Sequence, residues 1–140
     1  MSYSINEKQN LIFSHYSEPV YKDNHEHTNK VYGISCADYL EYDYSFENNL
    51  LKTVNFSGSG CAFYVASTDL VISNILNKNK EEIIYFIDIY EKFINGENLE
   101  QNDLKLLKEL AVFDNVYKQE NRKNCALMFA LDFRNRIKNE

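Results

Sequence analysis

The chain has 140 residues, of which 44% are hydrophobic and 26% charged, and its formal net charge is −6. These values are typical of a globular protein with its own core, so we expect residues 1–140 to form one domain. The acidic balance argues against nucleic acid as a partner, because phosphates require clustered Lys and Arg. No apolar run approaches the roughly 20 residues that span a bilayer, and the first residues do not resemble a signal peptide. We therefore expect a cytoplasmic protein with no membrane partner.

The first half of the chain predicts one short helix followed by strands. The helix is expected from Glu7 to Tyr16, and "HTNKVYG" at 27–33 is a candidate strand. In "DYLEYDYSF" at 38–46, apolar and polar residues alternate with the period of a half-buried strand. The segment 47–49 reads as a turn and 50–56 as the returning strand, so this part predicts a β-hairpin.

After Gly60 the hydrophobic period becomes helical. Cys61 to Leu76 is predicted to be one helix. Asn79 is placed to cap the next helix, since Glu82 follows three residues later, and Gly96 is its expected end.

Two further helices complete the predicted fold. "NDLKLLKELAVF" at 102–113 gives a short helix starting near Asp103, and "NCALMFALDFRNRI" at 124–137 gives an amphipathic helix. The expected inward residues of the last helix are Ala126, Phe129, Phe133 and Ile137. Because strands precede helices, we expect an α+β fold in which a small antiparallel sheet of about three strands carries helices on one face, with the C-terminal helix last.

Three cysteines lie at the ends of predicted elements. Cys36 falls between two strands, Cys61 opens a helix behind Gly58 and Gly60, and Cys125 lies near the start of the last helix. An odd number of cysteines in a chain expected to be reduced argues against a disulfide framework and favours metal or reactive-thiol roles. A helix N-terminus also favours the thiolate, which is both the metal ligand and the nucleophile.

Asp38 is a candidate fourth ligand because it follows Cys36 by two residues, and residues at that spacing share one face of an extended chain. Three thiolates and a carboxylate suit zinc, and they could also hold iron or an iron–sulfur cluster. Spacing alone leaves a second interpretation open, in which Cys61 and Cys125 are small buried hydrophobic residues.

Other polar residues receive simpler interpretations. His25 and His27 could chelate a metal from a strand face, but we expect both to lie on the surface. His15 is expected to help pack the end of the first helix. Arg122 is either a surface cation or a supporting group that stabilises the Cys125 thiolate or pairs with an acidic group.

Four segments together resemble the IscU/NifU N-terminal family of iron–sulfur assembly proteins. "SCAD" at 35–38 resembles the Cys-Gly-Asp of the family, and "FSGSGCAFYVAS" at 56–67 resembles its Phe-x-Gly-x-Gly-Cys segment. "RKNCALMFA" at 122–130 resembles the segment of the third cysteine, and "HYSEP" at 15–19 resembles a His-Tyr-x-x-Pro at the end of the N-terminal helix. The resemblance covers nearly the whole chain in order.

Two features resemble the SufU-type branch of that family. Asn124 stands where IscU-type scaffolds have a histidine that joins the metal site, and the segment 95–115 resembles a stretch that SufU-type proteins insert. One departure lies beside the first cysteine, where Ala37 replaces a glycine of the family and "GIS" replaces an Asn-Pro. Since alanine adds a Cβ, the loop there must differ if the position needs a positive φ.

The resemblance implies a zinc-dependent sulfur-transfer protein. Zinc would be held by Cys36, Asp38, Cys61 and Cys125, and Cys36 would accept sulfur from the persulfide of a SufS-type cysteine desulfurase. Downstream iron–sulfur assembly proteins would be further partners. Two alternatives remain: a scaffold that holds a nascent [2Fe–2S] cluster with the same residues, and a structural zinc-binding module without transfer activity.

Overall fold

The computed structural model describes residues 3–33 and 37–140, and the expected α+β class is confirmed. Within these ranges one helix precedes three strands, and four helices follow. The elements are α1 (Ile5–Ser17), β1 (Asn29–Tyr32), β2 (Tyr39–Glu47), β3 (Leu50–Ser59), α2 (Ala62–Ile75), α3 (Lys80–Ile94), α4 (Gln101–Leu107) and α5 (Glu120–Lys138), with 3₁₀ helices at Lys108–Phe113 and Val116–Lys118. None of the helices in the described ranges is long and apolar enough to cross a membrane.

The sheet is antiparallel in the order β1-β2-β3, and its hairpin turns where the sequence predicts. Asn48 and Asn49 both have positive φ, at 53° and 67°, a conformation that asparagine tolerates better than most residues. β3 extends three residues beyond the predicted strand, so that Ser59 pairs with Tyr39. The end of β3 therefore lies beside the beginning of β2.

Short-range signals set the ends of two helices. Asn79 and Glu82 form the predicted capping box of α3, and Gly96 follows the helix with a φ of +81°. Ser4 and Glu7 form a second capping box at the start of α1. In each box two backbone N–H groups that the first helical turn leaves unpaired gain side-chain acceptors.

The core lies between one face of the sheet and the helices. Tyr42 of β2 is buried against the rings of Phe129 and Phe133 on α5, at centroid distances of 5.0 and 6.1 Å. α2 is buried along most of its length and packs against α1 and α5. The predicted inward residues of α5 are all buried, namely Ala126, Phe129, Phe133 and Ile137, and α3 likewise buries Ile83, Ile87, Tyr90 and Ile94.

Two helix predictions were wrong in extent. The segment 102–113 is not one helix, because α4 ends at Leu107, Lys108 has a φ of +50°, and a 3₁₀ helix follows. Leu107, Leu110 and Phe113 are buried at intervals of three residues, the period of a 3₁₀ helix. α5 begins at Glu120 rather than at 124, so Cys125 lies in its second turn and not at its end.

Candidate metal centre

Asp38 and Cys61 meet because they flank the paired ends of β2 and β3. Asp38 precedes β2, and Cys61 follows β3 as the N-cap of α2. The Cys61 side chain makes no capping hydrogen bond, but its backbone N–H donates to Asp38 Oδ1 at 3.0 Å. The carboxylate therefore lies at the N-terminus of α2, where the helix dipole favours a negative charge.

Gly58 and Gly60 allow this approach for different reasons. Gly58 has a φ of +133°, and a Cβ there would lie 1.9 Å from the carbonyl oxygen of Tyr39. At Gly60 a Cβ would lie 2.3 Å from Asp38 Oδ1. Gly58 therefore lets β3 lie close to the beginning of β2, and Gly60 leaves space for the Asp38 carboxylate.

Cys125 completes a group of three donors. α5 packs against α2, and it places Cys125 so that its Sγ, the Cys61 Sγ and an Asp38 carboxylate oxygen all lie within 4.8 Å of one another. Asp38 and Cys125 are buried, with 5% and 4% of their surface exposed, whereas Cys61 is exposed. The interpretation of Cys61 as a small buried hydrophobic residue therefore does not fit.

The chemistry of this donor set suits a metal ion. Two thiol sulfurs and one carboxylate oxygen are ligands that tetrahedral zinc accepts together, with one position left for a further donor. Thiolates also bind iron in iron–sulfur clusters. In the described part of the chain, no other group of His, Cys, Asp or Glu side chains has this arrangement. Cys36, the expected fourth ligand, lies outside the described residues.

Tyr64 connects α2 to the neighbouring ends of β2 and β3. It lies in the first turn of α2 and is fully buried, and its hydroxyl donates to the carbonyl oxygen of Tyr39 at 3.0 Å. The carbonyl oxygen of Ser57 on β3 is 3.4 Å from the same hydroxyl. Burial and the negative charge of Asp38 raise the pKa of Tyr64, so the hydroxyl keeps the proton that it donates.

Arg122 lies on the exposed surface of α5, one turn before Cys125. Its guanidinium packs over the ring of Phe63 at 4.6 Å, and Phe63 follows Cys61 by two residues. The cation is thus fixed by an aromatic contact beside the start of α2. The sequence predicts either a surface cation or a supporting group at Arg122, and the contact that the structure shows for it is the one with Phe63.

The three histidines lie apart from the group of donors. His25 is exposed as expected, whereas His27 is half-buried, with 8% of its side chain exposed. Its Nε2 lies 2.8 Å from Asp23 Oδ1 and its Nδ1 lies 3.0 Å from Asp43 Oδ2. His15 packs the end of α1 by a 2.8 Å hydrogen bond between Nδ1 and buried Asp69, in line with its predicted structural role.

The sequence predicts Asp38, Cys61 and Cys125 as partners, and the fold brings these three together. It gives no role to Tyr64, although this residue lies within the stretch 56–67 that carries the second cysteine. A helical period identifies Tyr64 as a core position, but it does not reveal the acceptor on β2. Likewise, the sequence does not show that Gly60 lies against Asp38, because the two residues are distant in the chain.

Comparison with known proteins identifies the family. Residues 7–126 match the family of NifU-like N terminal domains. The chain belongs to this family. A Streptococcus pyogenes serotype M1 protein named as the iron–sulfur cluster assembly scaffold protein IscU is 26% identical over 94 residues, which cover 67% of this chain and 58% of that protein. The chain spans less than two thirds of the length of the curated relatives that it matches.

Solved structures show the same fold. The crystal structure of a hypothetical protein superposes with a TM-score of 0.82 at 22% identity, covering 94% of this chain and 96% of that one. A candidate iron–sulfur cluster assembly scaffold for the SUF system from Fervidobacterium islandicum AW-1 gives 0.73 at 24% identity, covering 92% and 91%. At these identities the structures establish the fold, and the family match confirms the resemblance seen in the four sequence segments.

Proposed function

We propose that this protein accepts sulfur from the persulfide of a SufS-type cysteine desulfurase and passes it to downstream iron–sulfur assembly proteins. Zinc is the metal of its site, held by Cys36, Asp38, Cys61 and Cys125. The observation that carries the proposal is the group formed by Asp38, Cys61 and Cys125, whose donor atoms lie within 4.8 Å of one another in a chain of the NifU-like family.

The described residues are suited to holding zinc. The Asp38 carboxylate is already oriented by the Cys61 N–H, and an oriented ligand binds a metal more tightly than a mobile one. Cys36 would supply the fourth donor from the segment that precedes Ala37. When bound, the ion keeps the thiols deprotonated and protects them from oxidation.

Sulfur transfer follows the chemistry of thiol–disulfide exchange. The Cys36 thiolate attacks the terminal sulfur of the donor persulfide, a new S–S bond forms at Cys36, and the S–S bond of the donor breaks. The donor cysteine leaves as a thiolate, so the step involves no net oxidation. We favour Cys36 because Cys61 is held at the start of α2 and Cys125 is buried on α5.

Arg122 has a supporting role in this proposal. Its charge lies beside the start of α2, where the aromatic contact with Phe63 holds it. A fixed cation there favours thiolates on this chain and attracts the anionic persulfide of the donor. Arg122→Gln should therefore slow sulfur transfer more than it weakens zinc binding, as a desulfurase assay and a zinc titration would show.

Two features support the SufU-type branch. Asn124 offers no imidazole to the metal site. The segment 95–115, which resembles the SufU-type insertion, contains α4 and the 3₁₀ helix at 108–113, and it contributes Leu107, Leu110 and Phe113 to the core. This stretch is therefore an integral part of the fold.

A scaffold function is the second candidate, and the name of the S. pyogenes relative favours it. In that case iron and sulfide are the substrates, and a [2Fe–2S] cluster forms on the same cysteines and Asp38. The absence of a histidine before Cys125 is the feature of this chain that favours sulfur transfer instead.

Metal analysis and a desulfurase assay separate these functions. If the protein transfers sulfur, metal analysis should find about one zinc per chain in a colourless protein. The protein should also stimulate the desulfurase, and mass spectrometry should find an added sulfur on Cys36. Cys36→Ser should abolish stimulation even in molecules that retain zinc. A brown product after addition of iron, sulfide and reductant would support the scaffold. Bound zinc with no effect on the desulfurase would leave a structural zinc-binding module, and an added sulfur on Cys125 would contradict Cys36 as the acceptor.

A further inference from the structure

Tyr64 makes the direct hydrogen bond that joins α2 to the beginning of β2. Its hydroxyl donates to the carbonyl oxygen of Tyr39, the residue that follows Asp38, and Tyr64 itself follows Cys61 by three residues. The Ser57 carbonyl oxygen on β3 is also within reach of the hydroxyl. A single buried group thus contacts both strand ends that lead to the site.

The ring of Tyr64 is fixed as firmly as its hydroxyl. It packs edge-on against Phe56 with centroids 6.4 Å apart, and its Cδ2 would lie 2.6 Å from a Cβ at Gly60. The ring therefore fills the space that Gly60 leaves open, next to the Asp38 carboxylate. Because the side chain is fully buried and in contact on several sides, the hydroxyl has little freedom to turn away from Tyr39.

We propose that Tyr64 is a positioning residue that sets the separation of Asp38 and Cys61. Besides a 3.8 Å contact from the Cys61 Sγ to Asp38 Oδ2, two links bear on this separation: the bond from the Cys61 N–H to Asp38 Oδ1, and the bond from Tyr64 to Tyr39. The first link orients the carboxylate, and the second holds the backbone beside it. Without the bond from Tyr64 to Tyr39, the beginning of β2 can shift relative to α2. The bond from the Cys61 N–H to Asp38 then weakens as well. The consequence for zinc rests on the proposed function, whereas the positioning itself does not.

Tyr64→Phe tests this role because it keeps the ring and removes only the hydroxyl. Tyr42→Phe is the matched control: Tyr42 is also fully buried, and its hydroxyl donates to Asp132 on another element at 2.7 Å. In metal-free protein, NMR hydrogen exchange of the Cys61 amide reports the bond to Asp38. We expect Tyr64→Phe to speed this exchange roughly tenfold relative to amides in the middle of α2, the effect of one buried hydrogen bond.

Zinc affinity is the second measurement, made by competition with a chromophoric chelator. Loss of a supporting hydrogen bond should weaken binding roughly 10- to 100-fold in Tyr64→Phe and leave Tyr42→Phe close to the wild type. Unchanged exchange of the Cys61 amide in Tyr64→Phe would overturn the proposal, and so would an equal change in Tyr42→Phe. A wild-type protein with no zinc affinity would overturn the proposed function, while the exchange comparison still decides the role of Tyr64.

Discussion

Replacing Gly60 by alanine should damage the candidate metal centre while the fold survives. An added Cβ would lie 2.3 Å from Asp38 Oδ1 and 2.6 Å from Tyr64 Cδ2, both far inside van der Waals contact. Gly60 is not among the glycines with positive φ, so alanine meets no backbone restriction there. The cost must therefore come from movement of the Asp38 carboxylate or of the Tyr64 ring.

The size of the effect follows from the bond that this movement breaks. A displaced carboxylate loses the hydrogen bond from the Cys61 N–H, and a bond to a charged group contributes roughly 1.5–3 kcal/mol. Gly60→Ala also restricts the unfolded chain, which offsets roughly 0.4–1 kcal/mol. The net loss of about 1–2 kcal/mol corresponds to a melting temperature lower by roughly 3–7 °C for a domain of this size. Zinc affinity should fall roughly 10- to 100-fold, as for loss of ligand orientation.

Thermal melts with and without zinc, together with a chelator competition titration, measure both effects. Gly58→Ala provides the comparison: its Cβ would lie 1.9 Å from the Tyr39 carbonyl oxygen, and a φ of +133° is unfavourable for alanine. It should lower the melting temperature more than Gly60→Ala does, because a strand backbone cannot move aside as a side chain can. If Gly60→Ala retains wild-type zinc affinity and stability, Asp38 is not held in this position.

Three further predictions concern metal, pH and a buried carboxylate. Removal of bound zinc by a chelator should lower the melting temperature, since a ligand at about 100 times its Kd contributes roughly 2.7 kcal/mol; an unchanged calorimetric melt after verified removal would contradict this. Burial acts to lower the pKa of His27, but its hydrogen bonds to Asp23 and Asp43 outweigh burial and raise the pKa above its ordinary value. The imidazolium of His27 therefore stabilises the fold fully below about pH 6.5, the ordinary pKa of histidine. The stabilisation amounts to about 1 kcal/mol or less, because Asp43 is half exposed. It disappears as the pH rises through the raised pKa of His27. In urea titrations His27→Gln should then be more destabilising at about pH 6 than at about pH 9, and equal losses would contradict the charge argument. Asp69→Ala should cost roughly 1–3 kcal/mol in the same assay, because it leaves His15 and a backbone N–H without their buried acceptor; a neutral result would show that the contact adds nothing.

The sequence by itself determined the features that neighbouring residues decide. Asn79 and Glu82 predict the capping box of α3, because the cap and its partner lie three residues apart. The turn at 47–49 and the bounds of α2 follow in the same way from asparagines, glycines and a change of hydrophobic period. The sequence motifs also group Asp38, Cys61 and Cys125, although only their resemblance to a family connects such distant positions.

Tertiary structure alone decided the contacts that have no regular spacing. The helix predicted over 102–113 breaks at Lys108 because three apolar side chains must reach the core at intervals of three residues. His27 is held between two carboxylates from separate segments, and Tyr64 donates to a carbonyl oxygen 25 residues earlier in the chain. A sequence pattern records which side chains prefer burial, but the acceptor that a buried donor finds depends on how the strands and helices pack together.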